Sequence, residues 1–91
     1  MWEEAKPRFP VGKTVRGTVT RHCPFGIFVD LGDPVATGLV EIVNFLDAGR
    51  MTAKQYPAVG STIEAVVIGH MTERQKQISL SMRPSDLKKS Q

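Results

Sequence analysis

The sequence predicts an all-β fold, a five-stranded barrel with one short helical turn between strands three and four. Three observations carry this expectation. Apolar and polar residues alternate at strand period in five short runs, turn residues separate the runs, and the alternation breaks from Val43 to Arg50, between the third run and the fourth.

The elements follow in order. Residues 1–10 hold two prolines, Pro7 and Pro10, and the charges Glu3, Glu4, Lys6 and Arg8, so they read as a lead-in segment anchored by Trp2 and Phe9. From Lys13 to Arg21, Val15, Gly17 and Val19 fall on one face, with Thr14, Arg16, Thr18 and Thr20 on the other; Gly17 suggests a bend. A tight reversal at Pro24 to Gly26 leads into a second strand ending at Gly32. Ile27, Val29 and Leu31 share its inner face, while Phe28 and Asp30 fall on the side expected to be wet. Gly32-Asp33-Pro34 is a turn, and Gly38 to Ile42 is a short third strand.

Thr52-Ala53-Lys54-Gln55 has capping-box spacing and predicts one helical turn, stopped by Pro57. Gly60-Ser61 turns the chain into a fourth strand, Thr62 to Ile68, whose run Ala65-Val66-Val67-Ile68 reads as buried on both sides. Met71 to Lys76 is a polar loop. In the fifth strand, Gln77 to Arg83, Ile78, Leu80 and Met82 point inward, and Ser79, Ser81 and Arg83 outward. Residues 84–91 are expected to be a polar, fraying tail. Five strands in about 75 residues, with the helical turn after the third, is the plan of an oligonucleotide-binding (OB-fold) barrel spanning residues 11–83. An SH3-like barrel needs a different break pattern.

Composition narrows the function. Ninety-one residues make one domain, and a net charge of +3, from 12 Lys plus Arg against 9 Asp plus Glu, permits an anionic partner without demanding one. One cysteine excludes an internal disulfide, and no apolar run approaches the ~20 residues of a membrane span. A cytoplasmic monomer without membrane attachment is the expectation. His22 and Cys23 are adjacent, so on a strand they point to opposite faces, and no second cysteine completes a metal set; no metal or cofactor is expected. Glu41 and Asp30 read as surface charge and His70 as a polar loop residue. Neither a nucleophile elbow nor a phosphate loop is present, and no enzymatic activity is expected.

Five fragments in order carry a family resemblance. These are Gly12 with Val15-Arg16-Gly17-Thr18-Val19; Phe25-Gly26-Ile27-Phe28-Val29-Asp30-Leu31; Gly38-Leu39-Val40-Glu41-Ile42; Gly60 before a valine-rich strand; and Ile78-Ser79-Leu80-Ser81. Together, over Val11 to Arg83, they resemble the S-one RNA-binding domain, the repeat named after the largest small-subunit ribosomal protein. The resemblance implies an OB-fold barrel that binds single-stranded RNA through aromatics around strand two, a histidine in strand three and polar or basic residues near the fourth-to-fifth loop. Phe25 and Phe28 match the aromatics, and Phe25 reaches the face of Phe28 only if Gly26 carries a bulge. Glu41 replaces the histidine. Gly69-His70-Met71-Thr72, with one residue extra, stands where many members have an aspartate, and Gln77 stands at a place often held by arginine.

The expected function is therefore non-enzymatic binding of single-stranded RNA with weak sequence preference. Bases stack on Phe28 and Phe25, while Arg16, Arg21, His22, Arg74 and Lys76 face the backbone. The alternative is a barrel that docks on the ribosome or an RNA-processing protein, its RNA affinity reduced by the anion at Glu41.

Overall fold

The computed structural model describes residues 1–49, 51–72 and 76–89. Five strands close into a barrel: β1 (Thr14–Cys23), β2 (Gly26–Asp30), β3 (Thr37–Glu41), β4 (Thr62–Met71) and β5 (Gln77–Ser81), in the order β1-β2-β3-β5-β4. Neighbours pair antiparallel except β3 and β5, which run parallel. The expected OB-fold barrel is thus observed, with β1 running two residues past Arg21, and β2 ending at Asp30 rather than Gly32.

Alternation fills the interior. Val15 and Val19 from β1, Ile27 and Val29 from β2, Val40 from β3, Ile63, Ala65 and Val67 from β4, and Ile78 and Leu80 from β5 form one cluster. Each of the larger side chains contributes roughly 1.5–3 kcal/mol by leaving water. Gly17 belongs to this inward set because nothing larger fits: a Cβ there would lie 2.4 Å from Val29 Cγ1.

Between β3 and β4 the described residues include the 3-10 turns Ile42–Asn44 and Ala53–Gln55. The second carries the capping box expected from Thr52 and Gln55, the Gln55 Oε1 accepting from the Thr52 amide at 3.0 Å. Val66 and Val67 are both buried, so β4 is covered on two sides. The outer cover comes from the end of the chain. Pro84–Lys89 form a helix, α2, where a fraying tail was expected. Ser81, pointing outward as expected, is fully buried beneath it, its hydroxyl donating to Asp86 Oδ2 at 2.6 Å. That hydrogen bond, with Arg83 beside it, holds the Asp86 carboxyl below its ordinary value.

The lead-in also winds up, as a helical turn Trp2–Ala5 (α1) followed by a 3-10 turn Lys6–Arg8, and Trp2, Ala5 and Phe9 join the core. Polar ties from distant parts of the chain fix it. His70 lies within β4 rather than in a loop, and its Nε2 donates to the Phe9 carbonyl at 2.7 Å. Arg8 donates from Nε to Asp33 Oδ1 at 2.7 Å and from Nη2 to Oδ2 at 3.1 Å, and Oδ2 also accepts from the Val35 and Ala36 amides.

The Arg8 hydrogen bond, and next the Ala36 amide, hold the Asp33 carboxyl well below the usual carboxylate range. A carboxyl depressed in the folded state stabilises the fold above its unfolded value of about 3.9, and that contribution is lost as pH falls toward the folded value. The urea midpoint is therefore expected to drop between about pH 5 and about pH 2, and D33N to flatten the drop. Equal slopes in the two proteins would show that this carboxylate contributes nothing.

Candidate nucleic-acid interface

The outer face of the β1–β2 hairpin is set by a register break. Val19 pairs with Val29, but the next pair is Arg21 with Phe28, leaving Thr20 as an extra residue in β1. Without this bulge, Arg21 would follow Val15, Gly17 and Val19 inward. With it, Arg21 shares the outer face with Phe28, and the Thr20 hydroxyl donates to the Phe28 carbonyl at 3.3 Å. Beside them in register stands Leu39 of β3, buried and outside the interior cluster.

Phe28 is on this outer face as alternation requires, yet it is not wet. Only 8% of it is exposed. The Arg21 guanidinium covers the ring, its Cζ 4.6 Å from the centroid, and Phe25 packs edge-on with centroids 6.1 Å apart and planes at 83°. Phe25 is the exposed ring, at 50%. No bulge at Gly26 brings it there. Pro24 and Phe25 form the turn itself, and the Phe25 carbonyl accepts from the Ile42 amide at 2.8 Å, tying the turn to the end of β3. Gly26 opens β2 at φ +153°, against the backbone of β3.

Glu41 completes the neighbourhood. It pairs with Gly26, which has no side chain, so its half-buried side chain stands beside a bare patch of sheet. Neither Glu41 nor Arg21 forms an ion pair among the described residues.

The other expected residues lie elsewhere. His22 pairs with Ile27, on the opposite face of the ribbon from Arg21 and Phe28. Its Nε2 donates to the Pro57 carbonyl at 2.6 Å and its ring meets Tyr56 edge-on, which in turn stacks on Phe45. That imidazole fastens the β3–β4 connection rather than facing the rings. Arg16 is exposed and weakly paired with Glu64 at 4.0 Å, about 16 Å along β1 from Arg21 at the usual strand rise. It lines a shallow polar depression with Thr18, Asp30 and Thr62. Lys76 is exposed just before β5. Arg74 lies outside the described residues. β4 has a register break of its own, between Val67 and Gly69, which leaves Ile68 as an extra residue in the ladder with β5.

The structure thus joins Phe25, Phe28 and Arg21, and places Arg16 and His22 apart from them. What the sequence reading missed is that Arg21 lies on Phe28. The arginine's identity offers a signal, since a guanidinium is planar, weakly hydrated and able to stack on an aromatic face, but the bulge that brings the two together has no signature at period two. Among the described residues, no group of three or more His, Cys, Asp or Glu could hold a metal ion. No described helix is long and apolar enough to cross a membrane.

Comparison with known proteins agrees with this architecture. The S1 RNA binding domain family model matches residues 8–83. The small ribosomal subunit protein bS1 of Rickettsia conorii is 34% identical over 86 residues, which cover 90% of this chain and 14% of that protein. Among solved structures, GSP13 from Bacillus subtilis superposes with a TM-score of 0.70 at 31% identity, over 85% of this chain and 58% of that one. A chain of the a/eIF2alpha-aDim2p-rRNA complex from Pyrococcus horikoshii OT3 gives 0.69 at 25% identity, over 87% and 49%.

Proposed function

Since the chain belongs to the S1 RNA-binding domain family, we propose that it binds single-stranded RNA, without catalysis, on the outer face of the β1–β2 hairpin. The observation that carries this reading is the half-exposed Phe25 ring standing beside Arg21 and its covered Phe28. An aromatic held in water next to positive charge receives an unpaired base of any identity, so sequence preference is weak. Arg16 and Lys76, with Arg74, neutralise phosphates as the strand passes beyond the rings. His22 is left out of the contact because its Nε2 is engaged with Pro57. Sharing a domain with ribosomal relatives supports a cytoplasmic RNA-binding role, and we propose that the chain acts as a monomer; it spans only 14% of the Rickettsia protein, and that protein's assembly is not carried over with the domain.

A second reading, docking on the ribosome or an RNA-processing protein, is favoured by Glu41 beside the rings and by the exposed Val43 and Leu46 that follow it. Salt separates the two. Titration with a single-stranded RNA decanucleotide is expected to give a linear fall of log K with log salt, with a slope of about −2 to −3 for three or four neutralised phosphates. No measurable binding at low salt would end the RNA reading and leave the docking one.

A further inference from the structure

Resting on the RNA-binding reading above, we propose that Arg21 acts as a stacking plane and not as a phosphate contact. A base lies on the solvent side of its guanidinium, whose other side is already seated on Phe28.

The Phe28 ring is closed to a base because Arg21 occupies it. Its residual exposure is 8%, and anything approaching from solvent meets the guanidinium first. Arg21 itself is exposed. A guanidinium is planar, weakly hydrated and stacks on π faces, so seating one side on a ring leaves the other as a platform of the same kind. Its position is built into the backbone, through the Thr20 bulge and the Thr20 hydroxyl on the Phe28 carbonyl. Arg21 forms no ion pair among the described residues, not even with Glu41 in the same neighbourhood.

The second platform, Phe25, stands at 83° to Phe28. A base lying parallel to the Phe28 ring over Arg21 and a base lying on Phe25 are close to perpendicular and cannot stay stacked on each other. The site selects nucleotides that are unpaired and locally unstacked.

The test compares the wild-type chain with R21K, R21Q and F25A, using anisotropy of a labelled RNA decanucleotide over a salt series, with inorganic polyphosphate as a probe that carries charge and no bases. R21K keeps the charge and loses the plane. It is expected to weaken RNA binding about fivefold or more while keeping the salt slope, the polyphosphate affinity and the melting temperature of the wild type. R21Q keeps a planar group and drops the charge; at high salt, where charge is screened, it is expected to bind RNA more tightly than R21K. The inference is overturned if R21K binds RNA like the wild type, or if R21Q at high salt is the weaker of the two. If F25A weakens binding and R21K does not, only Arg21's role fails; if the wild type binds no RNA, the reading beneath it fails as well.

Discussion

Alanine at position 26 is expected to destabilise the domain by about 3 kcal/mol or more, since its side chain has nowhere to go. A Cβ on Gly26 would lie 2.1 Å from the Val40 carbonyl oxygen and 2.9 Å from Glu41 Cα. Both are backbone atoms of β3, held by the β2–β3 ladder, so relief requires prising two barrel strands apart. At φ +153° the position is also unfavourable for an L side chain. In a domain of this size the loss corresponds to a fall in melting temperature of roughly 12 °C or more. G69A is the control: the nearest atom to its Cβ is Ser79 Cβ at 3.9 Å, and it is expected to change stability by less than about 1 kcal/mol. Thermal melts of the two variants decide the matter. A G26A protein that melts with the wild type would mean that β2 and β3 are not this close.

The two phenylalanines of the hairpin are expected to separate cleanly under mutation. F28A removes a ring packed under Arg21 and against Phe25, and should cost about 2–4 kcal/mol of stability. F25A removes a half-exposed ring from a turn. Its stability should stay within about 0.5 kcal/mol of the wild type. Its affinity for single-stranded RNA should fall by about 1–3 kcal/mol, the range for one lost stacking contact. Chemical denaturation and RNA titration of the same two proteins measure both effects. Should F28A stay as stable as the wild type and lose RNA while F25A loses nothing, the stacking role would return to Phe28.

That reversal between Phe25 and Phe28 shows where sequence patterning stops. Alternation assigned Phe28 to the outer face of β2, and it is there; what alternation cannot express is that another side chain lies on top of it. Arg21 reaches the ring because Thr20 is an extra residue, and a single bulge shifts the phase of everything beyond it without changing composition. The same limit hid Ile68 in β4. Features set by local chemistry were legible. The Thr52–Gln55 capping box, the two-sided burial of Val66 and Val67, and the anchoring of Trp2 and Phe9 all follow from residue type and spacing.

The residue order of α2 is that of a helix, although its polarity reads as a tail. Pro84 at its first turn, Asp86 early, and Lys88 and Lys89 late are the order that a helix dipole favours. Its consequence, the burial of Ser81, was not legible, because that depends on where the helix lands. The ties from His70 to Phe9 and from Arg8 to Asp33 join residues 61 and 25 positions apart, beyond the reach of any local pattern.

The parallel pairing of β3 with β5 has a kinetic side. During synthesis, hairpin β1–β2 and its neighbour β3 can form as soon as they emerge, but Thr37–Val40 has no partner on its free edge until Gln77–Leu80 arrives. For that interval the nascent chain carries an open ladder, the feature that invites pairing with a neighbouring chain. Across small domains, contacts so distant along the chain go with slower folding.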